Sequence, residues 1–154
     1  MYLQPNPALR EMLLSIPKKR WIFTNSDQPH VERVLSILGI SDCFNGLVDV
    51  YALEPHCKPK REAYQIALKY AENAYPATCA LLDDSVNNLV PAKTMGFFTI
   101  WVGQNGTHPM ADRSLSDIID LPEIDAGWAI ISIMLVNGIS YGLLSWYYSR
   151  KGDL

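Results

Sequence analysis

Short runs of consecutive apolar residues alternate with helical patterns over the first 122 residues, and this alternation constrains the fold more than any other feature of the chain. The apolar runs are predicted strands and lie at 21–25, 47–51, 79–83 and 97–102. The helical patterns lie at 6–16, 31–38, 59–73, 86–95 and 115–119. Buried strands that alternate with helices predict an α/β fold, in which a parallel sheet carries helices on both faces.

The composition restricts the class of function. A length of 154 residues allows one domain, and a hydrophobic content of 49% is enough for a core. The net charge of −3 argues against nucleic-acid binding, which needs a basic face. Cys43, Cys57 and Cys79 form no CxxC pair, which favours free thiols in a reducing compartment. The N-terminal sequence is not typical of a secretory signal, so a cytoplasmic location is expected.

Three of the predicted strand ends carry strongly polar residues. Ligands of a parallel sheet bind beyond the carboxyl ends of its strands. The polar clusters at such positions are Thr24-Asn25-Ser26, the loop that contains Lys58, and Asp83-Asp84. The predicted topology therefore selects these residues as candidates for ligand binding.

Asp83 and Asp84 follow a fully apolar run. Two adjacent carboxylates at a strand end repel each other and resist burial unless a cation is close. Mg²⁺ is the cation most typical of such oxygen ligands. In the alternative interpretation, Asp84 caps the helix that begins near Val86 while Asp83 is solvated. The two residues alone leave both interpretations open.

The other two clusters also have two interpretations. The side chains of Thr24, Asn25 and Ser26, with the free N–H groups of a helix start, suit a phosphate group, but they also suit an ordinary N-cap. Lys58 precedes Pro59 and could neutralise a phosphate, or it could be a surface lysine. Taken singly, each of these two clusters favours the structural interpretation.

The order of the clusters carries more information than any one of them. Thr24-Asn25, Lys58-Pro59 and Leu82 to Ser85 resemble, in this order, motifs two, three and four of the haloacid dehalogenase superfamily. The resemblance covers about residues 2–124. It extends to the superfamily's pyrimidine 5′-nucleotidase-like group through the segments 2–5, 23–26, 38–40, 57–59 and 83–88.

This resemblance implies a Mg²⁺-dependent phosphatase that forms an aspartyl-phosphate intermediate on a small phosphorylated substrate, such as a nucleoside monophosphate. It implies that Thr24, Asn25 and Lys58 bind the phosphoryl group. It also implies that Asp83 and Asp84 hold or orient Mg²⁺. Electrostatic stabilisation by such groups supplies most of the catalysis in phosphoryl transfer.

The first motif of the family is missing from the sequence. That motif is Asp-x-Asp after an apolar strand, and no two of the ten aspartates here have this spacing. Asp49 lies in an apolar run but has Tyr51 at the second position. In the family this strand and the following cap precede the region that begins here at Tyr2. We therefore expect no catalytic nucleophile, and a sheet without its first, central strand or its cap.

A missing central strand would leave two inner edges of the sheet unpaired. Either another segment fills the gap, or the fold is loose or dimeric, so a homodimer is a possible partner state.

The last 30 residues fall outside the resemblance, which divides the chain into a core at 1–124 and a hydrophobic tail at 125–154. Residues 128–148 contain no charged side chain, and Arg150 and Lys151 follow, a pattern typical of one membrane-spanning helix. Asn137-Gly138 between apolar runs instead favours a hairpin that covers the sheet. In a third interpretation the tail is foreign to the domain, as after a shifted or mis-spliced reading frame.

The sequence therefore predicts a nucleotidase-related phosphatase domain for small phosphomonoesters whose own chain is inactive. The alternative is a non-catalytic module that binds phosphate and Mg²⁺, membrane-associated if the tail spans a bilayer. The sequence also leaves open a third interpretation, a working hydrolase that is completed by another segment bearing the first motif.

Overall fold

A computed structural model of the chain describes residues 3–123 and 132–136. The helices are α1 (Pro7–Ser15), α2 (Gln28–Leu38), α3 (Val50–Leu53), α4 (Arg61–Tyr70) and α5 (Val86–Met95). The strands are β1 (Lys19–Phe23), β2 (Gly46–Val48), β3 (Cys79–Asp83), β4 (Phe98–Val102), β5 (Arg113–Leu115) and β6 (Ser132–Val136). Short 3-10 helices cover Ser41–Cys43, Pro76–Thr78 and Ile118–Glu123.

The described strands form one six-stranded sheet in the order β2-β1-β6-β3-β4-β5, and all its neighbouring pairs are parallel. Successive residues of a strand face opposite sides, so Ile22 and Leu82 pack under α1 and α2 while Phe23 and Leu81 pack under α4 and α5. The predicted α/β fold, a parallel sheet with helices on both faces, is confirmed. Because the strands are parallel, their carboxyl ends lie along one rim.

Local signals place most of the helix ends where the sequence predicts them. Asn6 caps α1, with its Oδ1 accepting from the Leu9 N–H at 3.0 Å. Gly39 and Gly96 end α2 and α5 with φ of 72° and 101°, a left-handed conformation that glycine adopts at little cost.

Some boundaries and burial patterns differ from the prediction. β1 begins at Lys19, so Lys19 and Arg20 are strand residues, not loop residues. The Arg20 guanidinium remains satisfied because it donates to the carbonyls of Ile16, Lys18 and Cys43. The apolar spacing over 59–73 predicts that Ala63, Ile66, Ala67 and Tyr70 are buried, but Tyr70 is 49% exposed and Tyr64 is fully buried instead. Ala63 and Ala67 are buried as predicted, so the buried face of α4 is only shifted towards Tyr64 and Leu68.

Two further elements differ. β2 ends at Val48 rather than at Tyr51, because the Asp49 side chain accepts from the Ala52 N–H and starts α3. Leu115 belongs to β5, a three-residue strand without a clear alternating pattern, and not to a final α-helix.

The tail contributes the central strand. β6 pairs with β1 from Lys19↔Ser132 to Phe23↔Val136, and with β3 from Cys79↔Ser132 to Leu82↔Leu135. It therefore occupies the gap that the sequence analysis leaves at the centre of the sheet. Because both inner edges are paired within the chain, they offer no open edge to a second copy.

The expectation of one continuous membrane-spanning helix over 128–148 is wrong for residues 132–136, which form β6. A run of apolar residues suits a strand paired on both sides, and the edges of β1 and β3 supply the partners it needs. The remaining residues of that segment, including Asn137-Gly138, lie outside the described residues. Within the described part of the chain, no helix has the length and apolar character needed to cross a membrane.

Candidate functional site

The three predicted clusters meet at the carboxyl rim of the sheet. Thr24 follows β1, Asp83 ends β3, and Lys58 lies in the loop before α4. The three residues are 2%, 1% and 3% exposed. Burial of a hydroxyl, a carboxylate and an ammonium group at one sheet edge is costly unless they pair, so the contacts among them define the site.

Lys58 and Asp83 form a buried ion pair. The Lys58 Nζ lies 3.4 Å from the Asp83 Oδ2, and neither side chain is exposed. The same ammonium donates to the Phe23 carbonyl at 3.1 Å and lies 5.0 Å from the centre of the Phe23 ring. These contacts hold the lysine between the ends of β1 and β3, so Lys58 is not the surface residue of the alternative interpretation.

Burial shifts both members of the pair towards neutrality. It lowers the pKa of Lys58 to about 8, although the Asp83 charge acts in the opposite direction. It raises the pKa of Asp83 to about 6, partly offset by the charge of Lys58. The contact of 3.4 Å between the two groups favours their charged forms and opposes this effect of burial.

Asn25 holds the backbone of Lys58. Its Oδ1 accepts from the Lys58 N–H at 2.9 Å, and its Nδ2 donates to the Lys58 carbonyl at 3.1 Å. The amide is thus engaged with the loop before α4, and it fixes the direction of the Lys58 side chain. Thr24 orders its own loop, because its Oγ1 accepts from the Ser26 N–H at 3.0 Å.

Asp83 is held on both carboxylate oxygens. Oδ1 accepts from the Ser85 N–H at 2.8 Å, and Oδ2 accepts from the Asn88 Nδ2 at 2.9 Å as well as from Lys58. Asp84 is partly exposed, and its backbone carbonyl accepts from the Trp101 indole at 3.1 Å. The cap of α5 is Ser85, without a side-chain hydrogen bond, so the alternative in which Asp84 caps this helix is not met.

Asn88 belongs to this site, although no sequence motif assigned it a role. The residue lies in the first turn of α5, and its side chain reaches back to the strand end. The Tyr64 hydroxyl donates to the Asn88 carbonyl at 2.7 Å and ties α4 to this turn. A polar residue in the first helical turn after an acidic strand end is the sequence signal that could have found it.

Asp83 and Asp84 offer a limited set of donors for a cation. No group of three His, Cys, Asp or Glu side chains that could hold a metal exists within residues 3–123. Mg²⁺ commonly takes one or two carboxylates and completes its shell with waters and substrate phosphate. Two carboxylates at one strand end are ligands of the type that such an ion takes, but both Asp83 oxygens already accept hydrogen bonds, and the described residues form no complete metal site.

Among the residues that the structure describes, the centre of the rim contains no candidate nucleophile. The strand β6 there reads Ser-Ile-Met-Leu-Val and contains no carboxylate. Asp49, at the end of β2, is 9% exposed, and its two oxygens accept from the Gln28 and Ala52 N–H groups. Asp49 is thus engaged with the backbone.

Sequence comparisons identify similar proteins. The model of the haloacid dehalogenase-like hydrolase family matches residues 2–96. Phosphate metabolism protein 8 of Saccharomyces cerevisiae is 33% identical over 107 residues, which cover 62% of this chain and 33% of the yeast protein. The chain thus spans about a third of the length of this relative.

Solved structures show the same fold. L-2-haloacid dehalogenase from Xanthobacter autotrophicus superposes with a TM-score of 0.66 at 19% identity, over 78% of this chain and 60% of that protein. The HAD phosphatase from Thermococcus onnurineus gives a TM-score of 0.65 at 22% identity, over 84% and 60%. At these identities the likeness concerns the fold. Because the family model matches more than half of the residues, the chain belongs to the haloacid dehalogenase-like hydrolases, a family that generally uses Mg²⁺.

Proposed function

We propose that the chain is a nucleotidase-related phosphatase domain that binds the phosphate of a small phosphomonoester, such as a nucleoside monophosphate, without turning it over by itself. The observation that carries this proposal is the buried Lys58–Asp83 pair at 3.4 Å, with the buried Thr24 at the end of β1. Thr24, Lys58 and Asp83 come from three separate junctions along the chain. A hydroxyl, an ammonium and an acidic strand end in one place suit a phosphate with its counter-ion better than any other common ligand.

The phosphate would lie between the loop that follows β1 and the Lys58 ammonium. Thr24 and the N–H groups of that loop would donate hydrogen bonds to it, and Lys58 would neutralise its charge. Asn25, whose amide is bonded to the Lys58 backbone, would act by keeping the ammonium directed at the rim.

Asp83 and Asp84 would hold Mg²⁺ next to that phosphate. The ion would offset the negative charge of the phosphate and of the two carboxylates. Asn88 would orient Asp83, because its amide donates to one of the two Asp83 oxygens and so fixes the orientation of the carboxylate.

The proposed inactivity rests on the residues of the central strand. A covalent phosphoenzyme requires a nucleophile at the rim, and β6 contributes no carboxylate there. A separate segment that carries Asp-x-Asp would have to displace β6, since β6 pairs with both inner edges. The domain as described therefore supports binding and not hydrolysis.

Titration calorimetry of the full chain with inorganic phosphate, with and without Mg²⁺, tests the proposal. We expect binding that strengthens with Mg²⁺. Lys58→Met should weaken it at least tenfold, while Lys60→Met, an exposed lysine two residues away, should leave it unchanged. Thr24→Val supplies a second rim variant of nearly equal volume. Circular dichroism confirms that each variant is folded. Equal affinity in Lys58→Met and Lys60→Met, or no binding by the wild type, would refute the proposal.

A further inference from the structure

Asp49 joins two loops at the rim and has no role in the function proposed above. It follows β2, the edge strand beside β1, and it is 9% exposed. Its Oδ1 accepts from the Ala52 N–H at 2.9 Å, and its Oδ2 accepts from the Gln28 N–H at 3.2 Å. One carboxylate therefore accepts from the first turns of α3 and α2, at the helix ends where a negative charge is favourable.

The backbone around Asp49 extends the pairing of β1 with β2 beyond the strands. The Thr24 N–H donates to the Val48 carbonyl at 3.0 Å, and the Val50 N–H donates to the Ser26 carbonyl at 3.1 Å. Thr24 and Ser26 are the two ends of the turn closed by the Thr24 hydroxyl. The segment 48–50 is thus bonded to both ends of the loop proposed to bind phosphate.

We propose that Asp49 is a positioning residue for the phosphate-binding loop at 24–26. Its Oδ2 fixes the start of α2 directly after this loop, and its Oδ1 anchors the same carboxylate to α3. Because both ends of the loop are held, its backbone N–H groups and the Thr24 hydroxyl keep the same arrangement before phosphate binds. This inference rests on the proposed function, because it gives a role to a residue that supports that site.

The direction of the change in phosphate affinity distinguishes a positioning role of Asp49 from a purely electrostatic effect. Asp49 carries a negative charge near a proposed anion site, so removal of that charge alone would strengthen phosphate binding. If Asp49 positions the loop, its loss weakens binding instead.

Asp49→Asn is the most informative substitution. Asparagine has one side-chain oxygen, so it can cap one helix but cannot accept from both N–H groups through separate oxygens. Asp27→Asn is the matched control. Asp27 caps the same helix α2 through its Oδ1, which accepts from the His30 N–H at 2.9 Å, and within the described residues its side chain makes no hydrogen bond to β2 or α3. Both changes remove one negative charge close to the loop, and Asn preserves the cap of Asp27.

The test is calorimetry of the full chain with inorganic phosphate and Mg²⁺, combined with amide hydrogen exchange at Ser26 and Gln28. We expect Asp49→Asn to bind phosphate roughly fivefold more weakly, the effect of about one hydrogen bond, and to exchange these amides faster. Asp27→Asn should bind phosphate at least as tightly as the wild type, because it removes a negative charge without loss of the cap, and it should leave the exchange of these amides unchanged. Tighter binding or unchanged exchange in Asp49→Asn would overturn the inference. If the wild type binds no phosphate, the proposed function fails, and equal exchange in the two variants would then also refute the role of Asp49.

Discussion

The rim and the centre of the sheet are built in different ways. At the rim, Thr24, Lys58 and Asp83 come from three separate junctions, and each is fixed by directional hydrogen bonds. At the centre, β6 comes from the tail and pairs along its length with β1 and β3. Backbone pairing accepts many apolar sequences, whereas the rim needs particular side chains. The fold can therefore be completed by a segment that supplies none of the chemistry of the family's first motif.

The largest expected effect is at the centre. Leu135 pairs with Ile22 on one side and with Leu82 on the other, so Leu135→Pro should disrupt a ladder between two neighbours and cost about 3 kcal/mol or more. Ser114→Pro, in the edge strand β5, is the control and should cost clearly less. Urea unfolding measures both. Equal costs would mean that β6 is not a central strand.

A second, similar effect is expected at the rim. Lys58→Met leaves the Asp83 carboxylate buried without its cation, which should cost about 3 kcal/mol. In Lys58→Met/Asp83→Asn the buried charge is gone, so the double variant should be more stable than the lysine variant alone. The free energy of unfolding of all four proteins gives the coupling between the two residues. Additive changes would contradict a direct pair.

A smaller effect concerns the support of Asn88. Tyr64→Phe removes the hydroxyl that donates to the Asn88 carbonyl, and it should cost about 1 kcal/mol. Tyr70→Phe in the same helix is the control, because Tyr70 is 49% exposed, and it should be nearly neutral. Thermal unfolding compares the two. A larger cost for the exposed position would contradict the observed burial of α4.

These contrasts also show what could be predicted from the sequence. Caps and left-handed glycines are local signals, so Asn6, Gly39 and Gly96 mark helix ends correctly. The convergence of Thr24 and Lys58 follows from the rule that parallel strands end along one rim. The role of Asn88 depends on a contact between a helix and a strand end, which no periodicity encodes.

The central strand could not be predicted from the sequence, for another reason. Hydropathy over 128–148 is equally compatible with a spanning helix and with a buried strand, because both exclude charge. The choice depends on the unpaired edges of β1 and β3, which exist only once the rest of the sheet has formed. Tertiary pairing therefore decides the structure of residues 132–136.

The smallest effect lies away from both regions, in the exposed pair of Arg10 and Asp42. The guanidinium lowers the pKa of Asp42 from 3.8 to about 2. A lowered pKa in the folded state means that the contribution of Asp42 is present above pH 4 and is lost as the pH falls towards 2. We expect Asp42→Asn to melt slightly below the wild type at pH 5, and the gap to close near pH 2. A gap that does not change with pH would contradict this pair.

The most direct test of the contrast between rim and centre is phosphate release from nucleoside monophosphates by the full chain with Mg²⁺. The proposed phosphate site beside a central strand without a carboxylate predicts release no faster than the blank. Release well above the blank that persists through further purification and is lost in Asp83→Asn would contradict the account.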